Sequence, residues 1–393
     1  MELCRTKSSN EAHCVAKSRF MTRISIDLSA IPPQVTGVGR YATEMLAELV
    51  PMARFEDLEM VGICKDGDRD RFVSRIQGLE TLSVVPNNRV ARLGYEQFGL
   101  RSALRRNRID LHHGIHYTLP GGRGQKSVVT IHDATMIEHP EWHERSKVLF
   151  FGAMIARAAK LADGLIFPSQ DAANAFLRHF DTRAEMKVIP HGVSADRFAN
   201  VGEGSDEMVL ARLGVQGRFF MFCGTLEPRK NLGRLLAAFN KVRNDGATLV
   251  IAGLAGWQGN AVAPFLDELS RSSSVKTLGY VSDSDLGVLF RNAVACLYPS
   301  LEEGFGLPGL EAMSQGCLLV TSAGTAMAEY AQGAAVFVDP LSVESITAAL
   351  IRVSTGGSDL DALAINGRRV AASMTWRRSA QGHLDLYRSI LGI

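Results

Sequence analysis

The chain has 393 residues, and at ~150 residues per domain that length points to two or three domains rather than one. Apolar residues make up 46% and charged residues 21%, which supplies a sizeable core and argues against wholesale disorder. Lys and Arg total 43 against 41 Asp and Glu, so the net charge of +2 lacks the basic footprint of a dedicated nucleic-acid binder.

Six cysteines (Cys4, Cys14, Cys64, Cys223, Cys296 and Cys317) are scattered without a CxxC pair. They read as reduced, buried thiols of a cytoplasmic protein, with no zinc site and no disulfide framework. No apolar stretch approaches the ~18–20 residues of a membrane span. Residues 1–20 are polar and mixed in charge, without the hydrophobic region of a secretory signal, and read as a disordered extension or an upstream start.

From Thr22 onward one pattern repeats: a short apolar run, a turn, then a helical stretch. Runs expected as buried strands are 23–27, 58–64, 81–86, 110–114, 128–133, 164–169 and 187–191, then 219–225, 248–253, 275–281, 295–300, 317–322 and 334–339. Helical periodicity lies between them, as at 232–242 and 342–353. Apolar strands alternating with helices mean parallel sheets covered on both faces. The polar stretch 194–205 divides the series into seven and six. The expected fold class is therefore α/β, with two Rossmann-like domains facing across a cleft. The expected divisions are 21–200 for the first domain, 201–375 for the second and 376–393 for a terminal helix. Its apolar face is Trp376, Leu384, Tyr387 and Leu391. The pattern leaves open whether that helix packs back on the first domain.

Ligands of open α/β sheets bind beyond the carboxyl ends of the strands, so the strand-to-helix turns carry the search. The most informative is PSLEEGFGLPGLEAMSQG, residues 299–316. Pro308 sits where a helix would begin, Glu303 on the loop, and Glu311 in the expected first turn of that helix. Gly304 and Gly306 let backbone approach a ligand, and N–H groups at the helix start suit a phosphate-sized anion. The plain alternative for Glu311 is an acid complementing a helix dipole, worth only ~0.3–1 kcal/mol. For Glu303 it is a solvated loop acid.

A second turn, CGTLEPRKN at 223–231, places the adjacent cations Arg229 and Lys230 at a helix start, where the dipole disfavours them. An anion between them gives the arrangement a purpose: Arg grips two phosphate oxygens and Lys adds a point charge. A solvated basic turn is the alternative. In the first turn, Gly37 and Gly39 precede a helix expected near Arg40. With Ala42 they read GxGxxA, but a long Pro-containing loop separates them from the strand, so the dinucleotide fingerprint is poorly supported. His132 and Asp133 end the fifth run, where an imidazole can serve in hydrogen bonding or acid–base work. The segment KVIPHGV, 187–193, closes the first half.

Two DxD tripeptides bear on metal binding. Asp283-Ser284-Asp285 precedes a helical stretch and reads as N-capping, and Asp66-Gly67-Asp68 as a surface turn, so no metal is assigned to either. GxxxxGK[ST], GxSxG and HExxH are absent from the sequence, which removes P-loop ATPases, α/β-hydrolases and zincins.

These motifs together resemble the retaining glycosyltransferases of family 4, which have the GT-B architecture. Glu303-x7-Glu311 matches the family's signature, and GTLEPRKN, GYVSDSDL, YPSLEEGFGLP and the early HD pair fall in its order. The resemblance covers roughly residues 22–391. It implies that Arg229 and Lys230 hold the donor's diphosphate with the amides of Gly304, Phe305, Gly306 and Leu307. Glu311 would accept from the ribose, Glu303 and His132 would grip the transferred sugar, and Gly37 and Gly39 would let their loop close over the diphosphate. Thr225 lies among the donor-side residues, and Val281 where the nucleobase meets backbone. The glycine loop, GVGR with two prolines, departs from the GG or GxE of many relatives. Front-face attack with retention and a covalent intermediate on Glu303 both remain open, and neither requires a metal or other cofactor.

The same resemblance implies a hexosyltransferase. The leading donor is GDP-mannose, with UDP-glucose or another hexose donor, or a nucleotide-sugar epimerase, as alternatives. The implied acceptor is a saccharide or polyprenyl-linked saccharide of polysaccharide or lipopolysaccharide synthesis. Expected localisation is cytoplasmic, with peripheral contact at the inner face of the membrane left open. For that contact the sequence offers Arg101, Arg105, Arg106 and Arg108 interleaved with Phe98, Leu100 and Leu104, which equally suit an ordinary surface helix. An NAD-dependent oxidoreductase would need its glycines tight against the first strand. A non-catalytic scaffold should have lost a motif cation or acid, and none is lost.

Overall fold

A computed structural model describes residues 21–32, 37–122, 124–199, 204–242, 246–254 and 274–393. The leading extension, part of the Pro-containing first loop (33–36) and part of the polar stretch (200–203) lie outside the described residues.

Among the described residues thirteen strands form two sheets, with every adjacent pair parallel. The first contains β1 (Thr22–Asp27), β2 (Leu58–Lys65), β3 (Glu80–Val85), β4 (Leu111–Gly114), β5 (Lys126–Thr130), β6 (Gly164–Phe167) and β7 (Glu185–Val188) in the order 3-2-1-4-5-6-7. The second contains β8 (Phe219–Cys223), β9 (Thr248–Ala252), β10 (Val275–Gly279), β11 (Cys296–Tyr298), β12 (Leu319–Ser322) and β13 (Ala335–Val338), ordered 10-9-8-11-12-13. Both orders reverse direction about their first strand, so each sheet has a switch-point crevice, between β1 and β4 and between β8 and β11. Inner strands such as β4, β6 and β12 are buried throughout, as layers covered on both faces require. The α/β class with two Rossmann-like domains is therefore what the chain adopts.

Several strands stop short of their apolar runs. The run 128–133 leaves the ladder after Thr130, although Ile131 is still fully buried. Likewise β8 ends at Cys223 rather than at residue 225. Ile131 stays in the first domain's core with Val129 and Phe167, and Gly224 N still donates to the Ala252 carbonyl at 2.9 Å, so burial in each domain's own core carries the pattern past the end of the ladder. His132 and Thr225 consequently lie on turns.

The last helix, Trp376–Leu391, is capped by Thr375, whose hydroxyl accepts from Arg378 N at 3.2 Å. Its buried face, including Leu384, Leu386 and Tyr387, packs against the helix Gly37–Phe55 and β5 of the first domain. Arg388 pairs with Glu56 at 2.9 Å, and Ser389 Oγ donates to Glu185 at 2.7 Å. The two crossings between domains touch each other: Val193 N donates to the Met374 carbonyl at 2.9 Å. A Cβ on Gly192 would lie 2.1 Å from the Trp376 nitrogen, so only glycine fits that passage.

Candidate active site

Two turns at the switch point of the second sheet are knitted into one unit. After β8, Pro228 opens a 3-10 turn through Lys230, and Asn231 follows in the left-handed region with φ 60°. The Asn231 amide donates to the carbonyls of Pro299 (2.9 Å) and Pro340 (2.6 Å), and Leu301 N donates to the Arg229 carbonyl (2.8 Å). This places Arg229 and Lys230 against the loop that follows β11.

Glu303 there receives both cations. Arg229 Nη1 lies 2.8 Å from Oε2, while Lys230 Nζ pairs with Oε1 and also donates to the hydroxyl of Tyr298. Lys230 and Glu303 are each only 5% exposed. Burial opposes ionisation of Glu303, but the charges of Arg229 and Lys230 outweigh it and hold the carboxyl down at about 2. Burial, with Arg229 alongside, lowers the Lys230 ammonium below its ordinary value despite Glu303. An ammonium has three N–H donors, and these two contacts use two of them.

Glu311 does not occupy the first turn of its helix. That helix runs Leu307–Ser314, so Glu311 lies in the second turn and is 1% exposed, which removes the simple helix-dipole reading. Its Oε1 is met by Arg40 Nη1 of the first domain at 2.6 Å and by Arg197 Nη1 at 3.1 Å. Both arginines also hold Asp283: Arg197 at 2.6 and 2.7 Å, and Arg40 at 3.0 Å. The DxD at 283–285 is therefore not the cap. Ser282 caps, accepting from Asp285 N at 3.1 Å, while Asp285 pairs with Arg212 at 2.6 Å.

The glycines of the 304–307 loop serve contacts within the protein. A Cβ on Gly304 would sit 1.8 Å from the His132 carbonyl oxygen, so this glycine permits the two domains to touch. Ser169 Oγ donates to the Gly304 carbonyl at 2.7 Å across the same contact. Gly306 takes φ 82°, and a Cβ there would meet Met327 Cγ at 2.2 Å. Phe305 is buried between the rings of His191 (4.9 Å) and Tyr330 (5.3 Å), and Leu307 opens the helix.

His132, just past β5, donates from Nε2 to the Ile115 carbonyl at 2.7 Å. Burial lowers its pKa, so at neutral pH the ring is uncharged and Nδ1 is its acceptor. Asp133 is turned into its own loop and accepts from Thr135 N and Oγ1. Gly37 and Gly39 do not precede their helix: it starts at Gly37, and Arg40 in its first turn reaches Glu311. Val281 and Thr225 are half-buried, just beyond β10 and β8 respectively.

The structure thus groups His132, Gly304, Glu303, Arg229 and Lys230 at one contact between the domains. Glu311 with Arg40 forms a second. Sequence reasoning missed Tyr298, Arg40, Arg197 and Asp283 as parts of these clusters. Arg40 carried a signal as the cation ending GVGR, Tyr298 as the start of YPSLEEGFGLP and Asp283 as part of GYVSDSDL, whereas Arg197 lies in none of the quoted motifs. The expected basic amphipathic helix is two helices, Arg89–Phe98 and Leu100–Arg106, meeting at Gly99. Leu100 and Leu104 are buried in the first domain's core, and of the three interleaved apolar residues only Phe98, 87% exposed, faces solvent.

Comparison with known proteins agrees with this geometry. Residues 35–197 match the family described as Glycosyltransferase Family 4, and residues 212–370 the family Glycosyl transferases group 1. The chain is 26% identical to O-antigen chain mannosyltransferase B of Escherichia coli over 90% of its length and 96% of that protein. It is 23% identical to O-antigen chain mannosyltransferase RfbU of Salmonella typhimurium, over 80% of this chain and 86% of that one. Among solved structures, sucrose-phosphate synthase from Thermosynechococcus elongatus superposes with a TM-score of 0.74 at 17% identity, covering 94% of this chain and 99% of the other.

Proposed function

The chain belongs to the family 4 glycosyltransferases of the GT-B fold, and we propose that it transfers mannose from GDP-mannose, with retention, to a saccharide or polyprenyl-linked saccharide in polysaccharide or lipopolysaccharide synthesis. The observation that carries the reaction type is the pair Arg229 and Lys230 held on Glu303 at the switch point of the second sheet. The mannosyl reading leans on the two O-antigen mannosyltransferases among the relatives.

Breaking a sugar–phosphate bond builds positive charge at the anomeric carbon and negative charge on the departing diphosphate. Arg229, Lys230 and the N-terminus of the helix Leu307–Ser314 would stabilise that departing charge from fixed positions. At ~1.5–3 kcal/mol per charge-assisted hydrogen bond, three or four contacts supply roughly 5–12 kcal/mol of the ~8–23 typical of enzymes. Both oxygens of Glu303 are engaged by cations, so a covalent sugar on it would require one pair to open. This favours front-face attack, in which the acceptor hydroxyl bonds to the anomeric carbon and its proton passes to a diphosphate oxygen. Glu303 and His132 would orient the sugar, Glu311 would take the ribose and no metal would be needed.

The test is nucleotide release by purified protein from a panel of nucleotide sugars, with and without EDTA. GDP release from GDP-mannose, unchanged by EDTA, is expected. Release from UDP-glucose alone, or loss of activity with EDTA, would overturn the donor or the metal reading respectively. No helix among the described residues is long and apolar enough to cross a membrane. For a cytoplasmic enzyme with a lipid-linked acceptor, exposed Phe98, with Arg105 and Arg106 exposed on the following helix, offers a peripheral contact with anionic lipid, which Phe98→Glu should weaken in vesicle sedimentation.

A further inference from the structure

Buried histidines and tyrosines away from the donor contacts form an ordered arc that leaves the last helix and returns to it. Tyr387 Oη lies 2.7 Å from His113 Nδ1, and His113 Nε2 lies 2.7 Å from Thr130 Oγ1. Thr130 Oγ1 is 3.0 Å from Tyr41 Oη, which is 2.7 Å from His383 Nε2. His383 Nδ1 ends the arc 2.7 Å from the Ser379 carbonyl, one turn back on its own helix. All five side chains are at most 1% exposed.

The direction of every bond follows from that carbonyl, which can only accept. His383 Nδ1 therefore carries a proton. Burial lowers the pKa of His383 to about 4, so its ring is neutral and Nε2 accepts from the Tyr41 hydroxyl. The Tyr41 oxygen then accepts from Thr130, and Thr130 accepts from His113 Nε2–H. Burial also lowers His113 well below its ordinary value, so Nδ1 is left to accept from Tyr387.

The arc lies around the attachments of His132. Thr130 ends β5 two residues before it. His113 lies on β4, two residues before Ile115, whose carbonyl takes the His132 Nε2–H. The Tyr41 ring meets the His132 ring edge-on, with centroids 5.3 Å apart and planes at 82°. Apolar burial of Leu384 and Leu386 and the Arg388–Glu56 pair already fasten the helix to the first domain. Attachment alone could be met by apolar side chains of similar shape, whereas a fully hydrogen-bonded chain also fixes the orientation of each ring in it.

We propose that the helix Trp376–Leu391 sets the position of the His132 ring through this arc, with Thr130 and Tyr41 as positioning residues. The proposal rests on the reading of His132 as a group at the transferred sugar. Thr130→Val breaks the arc at its centre with little change of shape, and Thr130→Ser keeps the hydroxyl. A displacement of about 1 Å at a reacting group costs roughly 10- to 100-fold, so Thr130→Val should lower kcat by that factor. Donor KM and the Kd for GDP should stay within about two-fold, and Thr130→Ser should restore kcat. Should Thr130→Val fail to fold, Tyr387→Phe, which removes only the terminal donor, carries the same comparison.

The bond directions have their own readout in the imidazole 15N shifts of the labelled full chain. His383 should show the Nδ1–H tautomer and His113 the Nε2–H tautomer. The opposite tautomer at either ring overturns the proposal. So does a wild-type kcat in folded Thr130→Val when His132→Ala is impaired. A wild-type rate in His132→Ala would instead remove the role of His132 itself, and the positioning role with it, whatever the tautomers.

Discussion

Lys230 offers the sharpest test of the electrostatic argument, because its ammonium is buried, shared between Glu303 and Tyr298, and backed by a second cation. Lys230→Ala removes one charge-assisted donor from a departing diphosphate, worth ~1.5–3 kcal/mol. At about 1.36 kcal/mol per decade this is roughly a 10- to 150-fold loss of kcat if the contact strengthens in the transition state. The fold should survive. Arg229 stays 2.8 Å from Glu303, so the ~3–5 kcal/mol cost of a wholly orphaned buried charge is not reached. Acid behaviour gives an independent check. Glu303 is held at about 2 in the folded state, below its unfolded value, so it contributes stability that is present above ~4.3 and lost as pH falls toward 2. The variant should lose part of this contribution at neutral pH and show a shallower decline in acid. Nucleotide release at saturating donor gives kcat, calorimetry gives the Kd for GDP, and melts followed across pH give the stability. A kcat within about three-fold of wild type in a folded variant would refute the assignment of Lys230 to the leaving group.

Glu311→Gln keeps the shape of a side chain that is 1% exposed and removes its charge. A hydroxyl bonded to a charged acceptor is worth ~1.5–3 kcal/mol, so donor KM should rise roughly 10-fold or more with kcat little changed. An equal loss in kcat would place Glu311 at the reacting end instead. Gly304→Ala drives a methyl into the His132 carbonyl, 1.8 Å from its ideal Cβ position, and must part the domains there. Its kcat should fall about 100-fold while GDP binding, measured by calorimetry, persists. Burial, with Glu138 and Asp133 nearby, pushes Glu302 up to about 7. The folded state therefore holds a proton that the unfolded chain releases near 4.3, and stability declines as pH rises from there through about 7. Glu302→Gln should melt several degrees above wild type at pH 8 and match it at pH 4; equal melting at both would show that Glu302 carries no burial penalty.

The two sheets were legible because a parallel sheet writes continuous apolar runs into the chain, and the turns at strand ends were legible because each is a contiguous string. Contacts between strings were not. Arg40 meets Glu311 across 271 positions, and Arg197 meets Asp283 across 86. Spacing therefore marks Arg40 and Arg197 only as surface charges and says nothing of the acids they meet. The glycine at 304 has a neighbour that the string does not name: a sequence shows that backbone must approach something closely, and the structure brings the other domain's backbone there. The basic stretch at 98–108 gave no sign of the break at Gly99, which leaves Leu100 and Leu104 as the inward face of the second, shorter helix and Phe98 exposed at the end of the first.

The two signature glutamates end up in different electrostatic settings, and that difference bears on how a donor would be received. Glu303 is held by cations of its own domain, from the turn immediately after β8, so that cluster exists whatever the first domain does. Glu311 is held by Arg40 from the first domain and by Arg197 from the crossing segment. Both of those contacts use Oε1, which leaves Oε2 outside the pairs. A ribose hydroxyl bonding at Oε2 would add to an existing interdomain cluster without having to displace it. The diphosphate end faces the opposite situation, since Glu303 already occupies donors of both cations through both of its oxygens. An incoming diphosphate must share Arg229 and Lys230 with a resident carboxylate. Their positive charge is therefore partly neutralised in the ground state. As the leaving group gains charge in the transition state, its hold on the shared cations strengthens relative to that of Glu303. That is the differential binding a transferase needs.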